Sequence, residues 1–179
     1  MKVKKHITSF YIETLILVLV FVAVILTLAQ VFVLNHVQLF GVAIPMPYIF
    51  FVLTMKRGMA KWAMLTWAFT MGIVLDTFSN TPGVAAASLT MAAMAQPYLL
   101  DLFITREGDG ELVPSASTIG IKPFFNYATM LTGGYCVVFF SLEMFSFLNY
   151  LRWVECVVGS TLVTVALVLA MDSLRRKKD

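Results

Sequence analysis

Long apolar runs separated by short polar connections dominate the pattern along this chain. A helix that crosses a bilayer needs roughly 20 mainly apolar residues. Six runs come close to this length: Thr14–Leu34, Val37–Met55, Trp62–Phe78, Val84–Ile104, Phe124–Phe147 and Leu151–Met171. The pattern therefore predicts an all-α, polytopic integral membrane protein with six transmembrane helices, which form a single domain over residues 1–179.

The second run, Val37–Met55, differs from the others because it contains Pro45 and Pro47. Each proline lacks a backbone N–H and cannot donate a helical hydrogen bond. We interpret this run as a spanning helix with an irregular outer entrance. A re-entrant hairpin is the alternative.

Composition agrees with a membrane protein. Hydrophobic residues make up 60% of the chain and charged residues 13%, and the mean hydropathy is +0.87. A soluble protein of this size does not bury that much apolar sequence.

The positions of Lys and Arg predict the orientation, because cytoplasmic connections of membrane proteins carry an excess of both. With six spans and both termini in the cytoplasm, only Arg152 of the 13 Lys and Arg residues lies outside. The net charge of +3 thus reflects topology and attraction to anionic membrane lipids, not nucleic-acid binding. The longest connection, residues 105–123, is polar and cytoplasmic in this topology, and we expect it to be partly mobile.

The third and fourth runs carry a pattern of small residues. In the third run a small or acidic residue recurs every four positions, at Ala68, Gly72 and Asp76. In the fourth run one helix face carries Ala85, Ser88, Ala92 and Ala95. Small residues at this spacing allow two membrane helices to approach closely, so we expect these two faces to meet.

The connection between these two runs predicts a sharp turn. Pro82-Gly83 is typical of a turn, and Asn80 or Ser79 is a suitable cap for a helix that begins near Val84.

Asp76 lies within an apolar run, where a charge is unfavourable unless it faces protein or water. We expect a buried hydrogen bond between the two helices or a contact with a partner helix. Contact with interfacial water is an alternative. Transport of an ion or proton is disfavoured, because no second acidic residue or histidine continues a path across the membrane.

Three further charged residues are candidates for secondary polar contacts. Arg152 and Glu155 are three residues apart at the start of the last helix, a spacing that favours their pairing. The alternative is that Arg152 or Glu143 meets a charge on a partner.

The sequence offers no catalytic constellation. His6 and His36, the two histidines, lie outside the apolar runs, and no nucleophile–base pair is apparent. We therefore expect no catalytic residue, no metal site and no cofactor.

The pattern G-x-x-x-D-x-F-S-N-T-P-G, followed by an Ala-rich helix, resembles the rod shape-determining protein MreD family, especially members from Bacteroidetes-like bacteria. The residues that carry it are Gly72, Asp76, Phe78, Ser79, Asn80, Thr81, Pro82, Gly83, Ala86 and Ala87. Further similarities extend over most of the chain and include Pro97, Pro114, Tyr127 and Glu143.

This resemblance implies a non-enzymatic, multi-pass inner-membrane scaffold of the elongasome, which maintains cell shape through peptidoglycan synthesis. It implies direct binding of MreC, and direct or indirect contact with MreB filaments and the RodA/penicillin-binding-protein synthase. The family's helical arrangement is similar to the substrate-binding subunits of vitamin transporters, so such a subunit is the alternative function. Whether copies of the chain associate with one another is left open.

The resemblance also points to a contact surface. We expect the outer end of the small-residue faces, from Asp76 to Gly83, to contact MreC. Replacement of Asn80 or Thr81 there is expected to spare folding but to weaken MreC binding.

Overall fold

The computed structural model describes residues 43–104, 113–144 and 150–176. Within these ranges the protein is all-helical and contains no strand. The helices are α1 (Ile49–Leu53), α2 (Lys61–Ser79), α3 (Val84–Phe103), α4 (Ile121–Glu143) and α5 (Tyr150–Arg176). The predicted first run, Thr14–Leu34, lies outside the described residues.

The last four apolar runs form the four long helices, with shifted ends. Helix α4 begins at Ile121, before the predicted start at Phe124, and ends at Glu143. Its early start includes Pro123, which the first turn of a helix tolerates because amides there have no partner within the helix. Helix α5 continues past Met171 to Arg176.

The long helices pack in chain order. Helix α2 packs on α3, α3 on α4, and α4 on α5. The short connection between α2 and α3, residues 80–83, places these two helices antiparallel. The short helix α1 packs against α3 and α4, and all five of its residues are buried. The core is rich in aromatic side chains, among which Phe124, Tyr127, Tyr135 and Phe140 are almost fully buried.

The irregular entrance expected in Val37–Met55 is present at Pro45 and Pro47, but the described residues of this run do not form a helix long enough to span a membrane. Residues 43–55 contain one helix of five residues, which rises only about 7.5 Å. The chain before it is irregular through Pro45 and Pro47, because neither proline can donate a helical hydrogen bond. This buried segment needs other partners for its backbone.

Hydroxyl groups of α5 supply partners at the start of the segment. The Ile44 amide donates to Ser160 Oγ at 3.0 Å, and the Met46 amide donates to Thr164 Oγ1 at 3.1 Å. Buried backbone polar groups need a hydrogen-bond partner where water does not reach them. Ser160 and Thr164 are fully buried, so their hydroxyls serve this purpose.

Side chains of α3 and α4 satisfy the other end of the segment. The Tyr127 hydroxyl donates to the Leu53 carbonyl at 3.2 Å, and Gln96 Nε2 donates to the Met55 carbonyl at 3.4 Å. Between the two ends, the hydroxyls of Tyr48 and Tyr135 form a hydrogen bond. Polar residues on three helices thus hold the irregular segment in the core.

One described helix is long and apolar enough to cross a membrane. It is α5, over Tyr150–Arg175, a stretch of 26 residues in which the most apolar 18 residues have a mean hydropathy of 2.1. At 1.5 Å per residue this stretch is about 39 Å long, more than the roughly 30 Å hydrocarbon thickness of a bilayer.

The described part of the predicted cytoplasmic loop is folded. Residues 116–119 form a turn in which the Thr118 and Ile119 amides both donate to the Ser115 carbonyl, and α4 begins soon afterwards at Ile121. Hydrogen bonds therefore connect residues within the loop's second half, and partial mobility of residues 105–123 stays a prediction. Residues 105–112 lie outside the described part.

Candidate functional site

Helices α2 and α3 form a hairpin in which glycine is required at one position. A Cβ atom added to Gly72 would lie 2.3 Å from the Ala86 Cα and 2.7 Å from the Ala86 nitrogen. Any side chain at residue 72 would therefore push the two backbones apart. One turn away, Ala68 is fully buried. Gly72 thus lies against α3, as we expected of this face.

The predicted face of α3 is mostly buried. Ala85, Ser88 and Ala92 are buried, whereas Ala95 is partly exposed. Ser88 Oγ donates to the Val84 carbonyl at 2.7 Å, so its hydroxyl is satisfied within its own helix. Most of this face is therefore packed inside the protein.

The Asp76 carboxylate sits at the closed end of the hairpin and is only 6% exposed. Its Oδ1 accepts hydrogen bonds from the Ala85 amide at 2.8 Å and the Thr81 hydroxyl at 3.1 Å. Its Oδ2 accepts a hydrogen bond from the Ala86 amide at 2.9 Å. Both carboxylate oxygens are therefore engaged by groups of the same hairpin.

These bonds make Asp76 a cap for the neighbouring helix. The first amides of an α-helix have no partner within the helix. In α3, those of Ala85 and Ala86 donate to Asp76, and the Val84 amide donates to the Thr81 carbonyl at 3.3 Å. A carboxylate at a helix N-terminus also interacts favourably with the helix dipole. Asp76 therefore joins the end of α2 to the start of α3.

The expectation that Asn80 or Ser79 caps α3 is wrong. The N-cap residue of α3 is Gly83, which has no side chain, and Asp76 takes the amides that a local cap would bind. Asn80 instead ends α2 in a left-handed conformation with φ of 54°. Asparagine adopts this conformation more readily than most residues. The backbone N–H of Asn80 donates to the backbone carbonyl of Asp76.

The turn that closes the hairpin is partly accessible. Asn80, Pro82 and Gly83 are exposed, and Ser79 and Thr81 are partly exposed. Thr81 is nevertheless part of the cap, because its hydroxyl donates to Asp76. Its replacement removes one hydrogen bond of the cap, so Asn80 is the better position for a test of surface contacts.

The geometry assigns Asp76 a structural role. A burial of 94% leaves little contact with interfacial water, and the three donors occupy both oxygens. Of the alternatives open at the sequence level, a buried hydrogen bond within the helix pair describes its surroundings. The motif residues therefore build a closed hairpin around a fixed carboxylate.

The predicted pairing of Arg152 with Glu155 is wrong. Both side chains are exposed, as is Glu143, and among the described residues the one ion pair joins Arg57 to Asp101 at 3.1 Å. An exposed pair three residues apart contributes only a few tenths of a kcal/mol, which is too little to hold two long side chains together. Contact of Arg152 or Glu143 with a partner stays a prediction.

Asp172 is a buried carboxylate that the sequence analysis missed. It lies near the end of α5 and is 4% exposed, and its Oδ2 accepts a hydrogen bond from the Ala116 amide at 3.0 Å. Its Oδ1 makes no hydrogen bond within the described residues. One signal was available: a carboxylate near a helix C-terminus opposes the helix dipole, so it needs a compensating donor.

Within residues 43–104, 113–144 and 150–176, no group of three or more His, Cys, Asp or Glu side chains is placed to hold a metal ion. His6 and His36 lie outside these ranges.

Comparison with known proteins provides no further guide to this site: no protein-family model, curated protein or solved structure matches the chain.

Proposed function

We propose that this protein is a non-enzymatic scaffold of the bacterial inner membrane, similar to the MreD family. In this proposal it crosses the membrane six times with both termini in the cytoplasm. It binds MreC and connects MreB filaments with the RodA/penicillin-binding-protein synthase during elongation of the cell wall.

The main support for this proposal is the hydrogen bonding of the Asp76 carboxylate. The carboxylate of the resemblance motif is taken up by the Ala85 and Ala86 amides and the Thr81 hydroxyl. A catalytic or transporting carboxylate needs access to substrate, water or a moving ion. The hydrogen bonds instead favour a motif that builds a rigid shape, which is what a scaffold requires.

The outer surface of the helices supports several membrane spans. Each long helix exposes large apolar side chains: Phe69, Ile73 and Phe78 on α2, Met91 and Leu102 on α3, Phe125 and Met130 on α4, and Val158 and Leu162 on α5. In water, so much exposed apolar surface would favour association or aggregation. A bilayer is the environment that suits it.

The proposed orientation is tested by labelling with a membrane-impermeant thiol reagent in intact cells. The background variant lacks Cys136 and Cys156, and single cysteines replace Asn80 and Ser117, which are both exposed. The proposal expects labelling at residue 80 alone. Labelling at residue 117 but not at residue 80 would overturn the orientation.

The exposed hairpin turn is the proposed contact for the juxtamembrane part of MreC. Asn80→Gly keeps the left-handed backbone accessible and removes the side chain. Asn126→Ala is the matched control, because Asn126 is also exposed but lies near the start of α4, away from the turn. We expect the Asn80 variant to retain less MreC than wild type during co-purification, and the control to retain the same amount.

The comparison is made at equal levels of protein in the membrane. Full retention of MreC by the Asn80 variant, with loss after changes on another helix, would remove the turn as the contact surface. Absence of MreC from the wild-type preparation would count against the scaffold itself.

The irregular segment before α1 favours one second candidate, a substrate-binding subunit of a vitamin-type transporter. Transporters often place substrate at discontinuous helices near the middle of the membrane, and residues 43–55 form such a broken segment in the core. A stoichiometric small molecule, released from purified protein and identified by mass spectrometry, would support this candidate over the scaffold.

A further inference from the structure

A small notch lies between α2 and α3, at the end of the hairpin opposite to Asp76. It has a volume of about 40 Å³, and its lining includes Met64, Leu65, Ala93 and Pro97. These side chains are apolar, so the notch suits hydrocarbon better than water. Its size admits only a short piece of an acyl chain.

A lysine and a tyrosine also line this notch. Lys61, the first residue of α2, donates a hydrogen bond through Nζ to the Tyr98 hydroxyl at 3.3 Å, and the same nitrogen lies 5.2 Å from the centre of the Tyr98 ring. The Tyr98 side chain is 62% exposed. A positive charge is therefore held beside an apolar notch, within reach of the surroundings.

The charge of Lys61 is not neutralised by a carboxylate in the described part of the chain. The nearby acidic residue Asp101 pairs with Arg57 at 3.1 Å, which leaves the Lys61 ammonium to the hydroxyl and ring of Tyr98. The neighbouring Trp62 is 74% exposed. Tryptophan and tyrosine are enriched where membrane proteins meet lipid headgroups, so this end of the hairpin has the composition of an interface.

We propose that this notch binds one anionic glycerophospholipid of the cytoplasmic leaflet, an inference that rests on the proposed membrane topology. The lipid phosphate lies at the Lys61 ammonium and the Tyr98 hydroxyl. The first methylene groups of an acyl chain pack on Leu65 and Pro97. Basic pockets between membrane helices on the cytoplasmic side are suited to such headgroups, and the apolar lining adds the chain contact that a free phosphate lacks.

The experiment reconstitutes the full chain in nanodiscs that contain phosphatidylcholine with a minor fraction of phosphatidylglycerol. Native mass spectrometry then measures which lipid stays bound after the disc is removed. The test variant is Lys61→Gln. Lys122→Gln is the matched control, because Lys122 is an exposed lysine in the first turn of α4 and does not line the notch.

We expect wild type to retain one phosphatidylglycerol in preference to phosphatidylcholine. Lys61→Gln should lower this preference about fivefold, the effect of one lysine near an anionic surface, and Lys122→Gln should change it less than twofold. Tyr98→Leu should also lower it, because it removes the hydroxyl. Equal losses in both lysine variants, or no preference in wild type, would overturn the site.

MreC is then added to the same nanodisc preparations, and its binding is measured. Normal MreC binding by a wild-type protein with no lipid preference would reject the lipid site alone. Absence of MreC binding by wild type would reject the scaffold and leave the lipid measurement unaffected.

Discussion

Asp76 and Asp172 are both buried carboxylates that accept hydrogen bonds from the backbone of another segment, but they differ in how fully they are used. Asp76 accepts three hydrogen bonds, which engage both oxygens. Asp172 accepts one, from the Ala116 amide, and its Oδ1 has no hydrogen bond within the described residues. The first carboxylate closes a hairpin between two long helices, and the second holds a single turn against the end of α5.

The two sites also differ in the distance along the chain that they join. Asp76 binds amides 9 and 10 residues away, across one turn, whereas Asp172 binds an amide 56 residues away. When the two partners are close in the chain, they form a compact sequence motif that can be recognised without the structure. A distant contact leaves two unrelated stretches of sequence, and only the packing of α5 near the loop brings them together.

The largest effect is expected at Asp76. Asp76→Leu leaves the Ala85 and Ala86 amides and the Thr81 hydroxyl without their acceptor. At about 1–3 kcal/mol for each unsatisfied buried group, we expect a loss of about 3 kcal/mol or more. Asp76→Asn should lose less, because one oxygen remains while its NH₂ group faces an amide donor. Unfolding in mild detergent measures both.

An equal loss of stability in these two variants would show that the negative charge, and not the number of acceptors, holds the hairpin. Normal stability of Asp76→Leu would contradict the cap.

The next effect is expected at Gly72. Gly72→Ala places a Cβ atom against the Ala86 backbone, and overpacking of this kind costs about 1–3 kcal/mol. Gly134→Ala is the matched control in α4, because a Cβ there meets nothing within 4 Å. The control should gain about 0.5–1 kcal/mol from the lower flexibility of alanine in a helix. Opposite signs in thermal unfolding would locate the close approach at Gly72.

A smaller effect is expected at Asp172. Asp172→Ala removes the acceptor of the Ala116 amide, and the loss of one such bond costs about 1–2 kcal/mol. Asp172→Asn should be close to neutral, because its single oxygen can accept the one bond that Asp172 makes. Hydrogen exchange at the Ala116 amide reports on this contact directly. A damaging Asp172→Asn would mean that Oδ1 also has a partner and that the two carboxylates are alike.

The smallest effect is expected at Asn80, on the surface of the hairpin turn. Asn80→Gly should change stability by no more than about 0.5 kcal/mol, since glycine adopts a positive φ freely. Asn80→Val should lose about 1–2 kcal/mol, because a left-handed conformation is unfavourable for a branched side chain. Equal stabilities of the Gly and Val variants would mean that residue 80 does not have a left-handed conformation in the folded protein.

Most of the architecture in the described residues follows from the apolar pattern. The ends of α2 and α3 lie within one residue of the runs Trp62–Phe78 and Val84–Ile104, because charges, glycine and proline mark them. The meeting of the Ala68–Gly72 face with α3 also follows from residue size. The hydrogen-bond partners of Asp76 could not be predicted from the sequence. Capping of α3 by a side chain from α2 depends on the angle and the distance between the two helices, which local sequence does not specify.

The irregular segment at residues 43–55 is where local sequence was least sufficient. Pro45 and Pro47 predict an interruption of the helix. They do not indicate which groups form hydrogen bonds with the backbone around it. In the sequence, the residues that form these hydrogen bonds are isolated polar positions in apolar runs: Ser160, Thr164, Gln96 and Tyr127. Each becomes a hydrogen-bond partner only when α3, α4 and α5 surround the segment.

The amino-acid sequence by itself determined that helices form, where α2 and α3 begin and end, and that these two helices approach closely, because periodicity, turn residues and side-chain size act over short distances. Tertiary structure decided which buried polar groups pair: Asp76 with the start of α3, Asp172 with the Ala116 amide, and the hydroxyls of α5 with the segment before α1. The physical reason is that a buried polar group must find a partner wherever the packing places one, and that place depends on all the helices together.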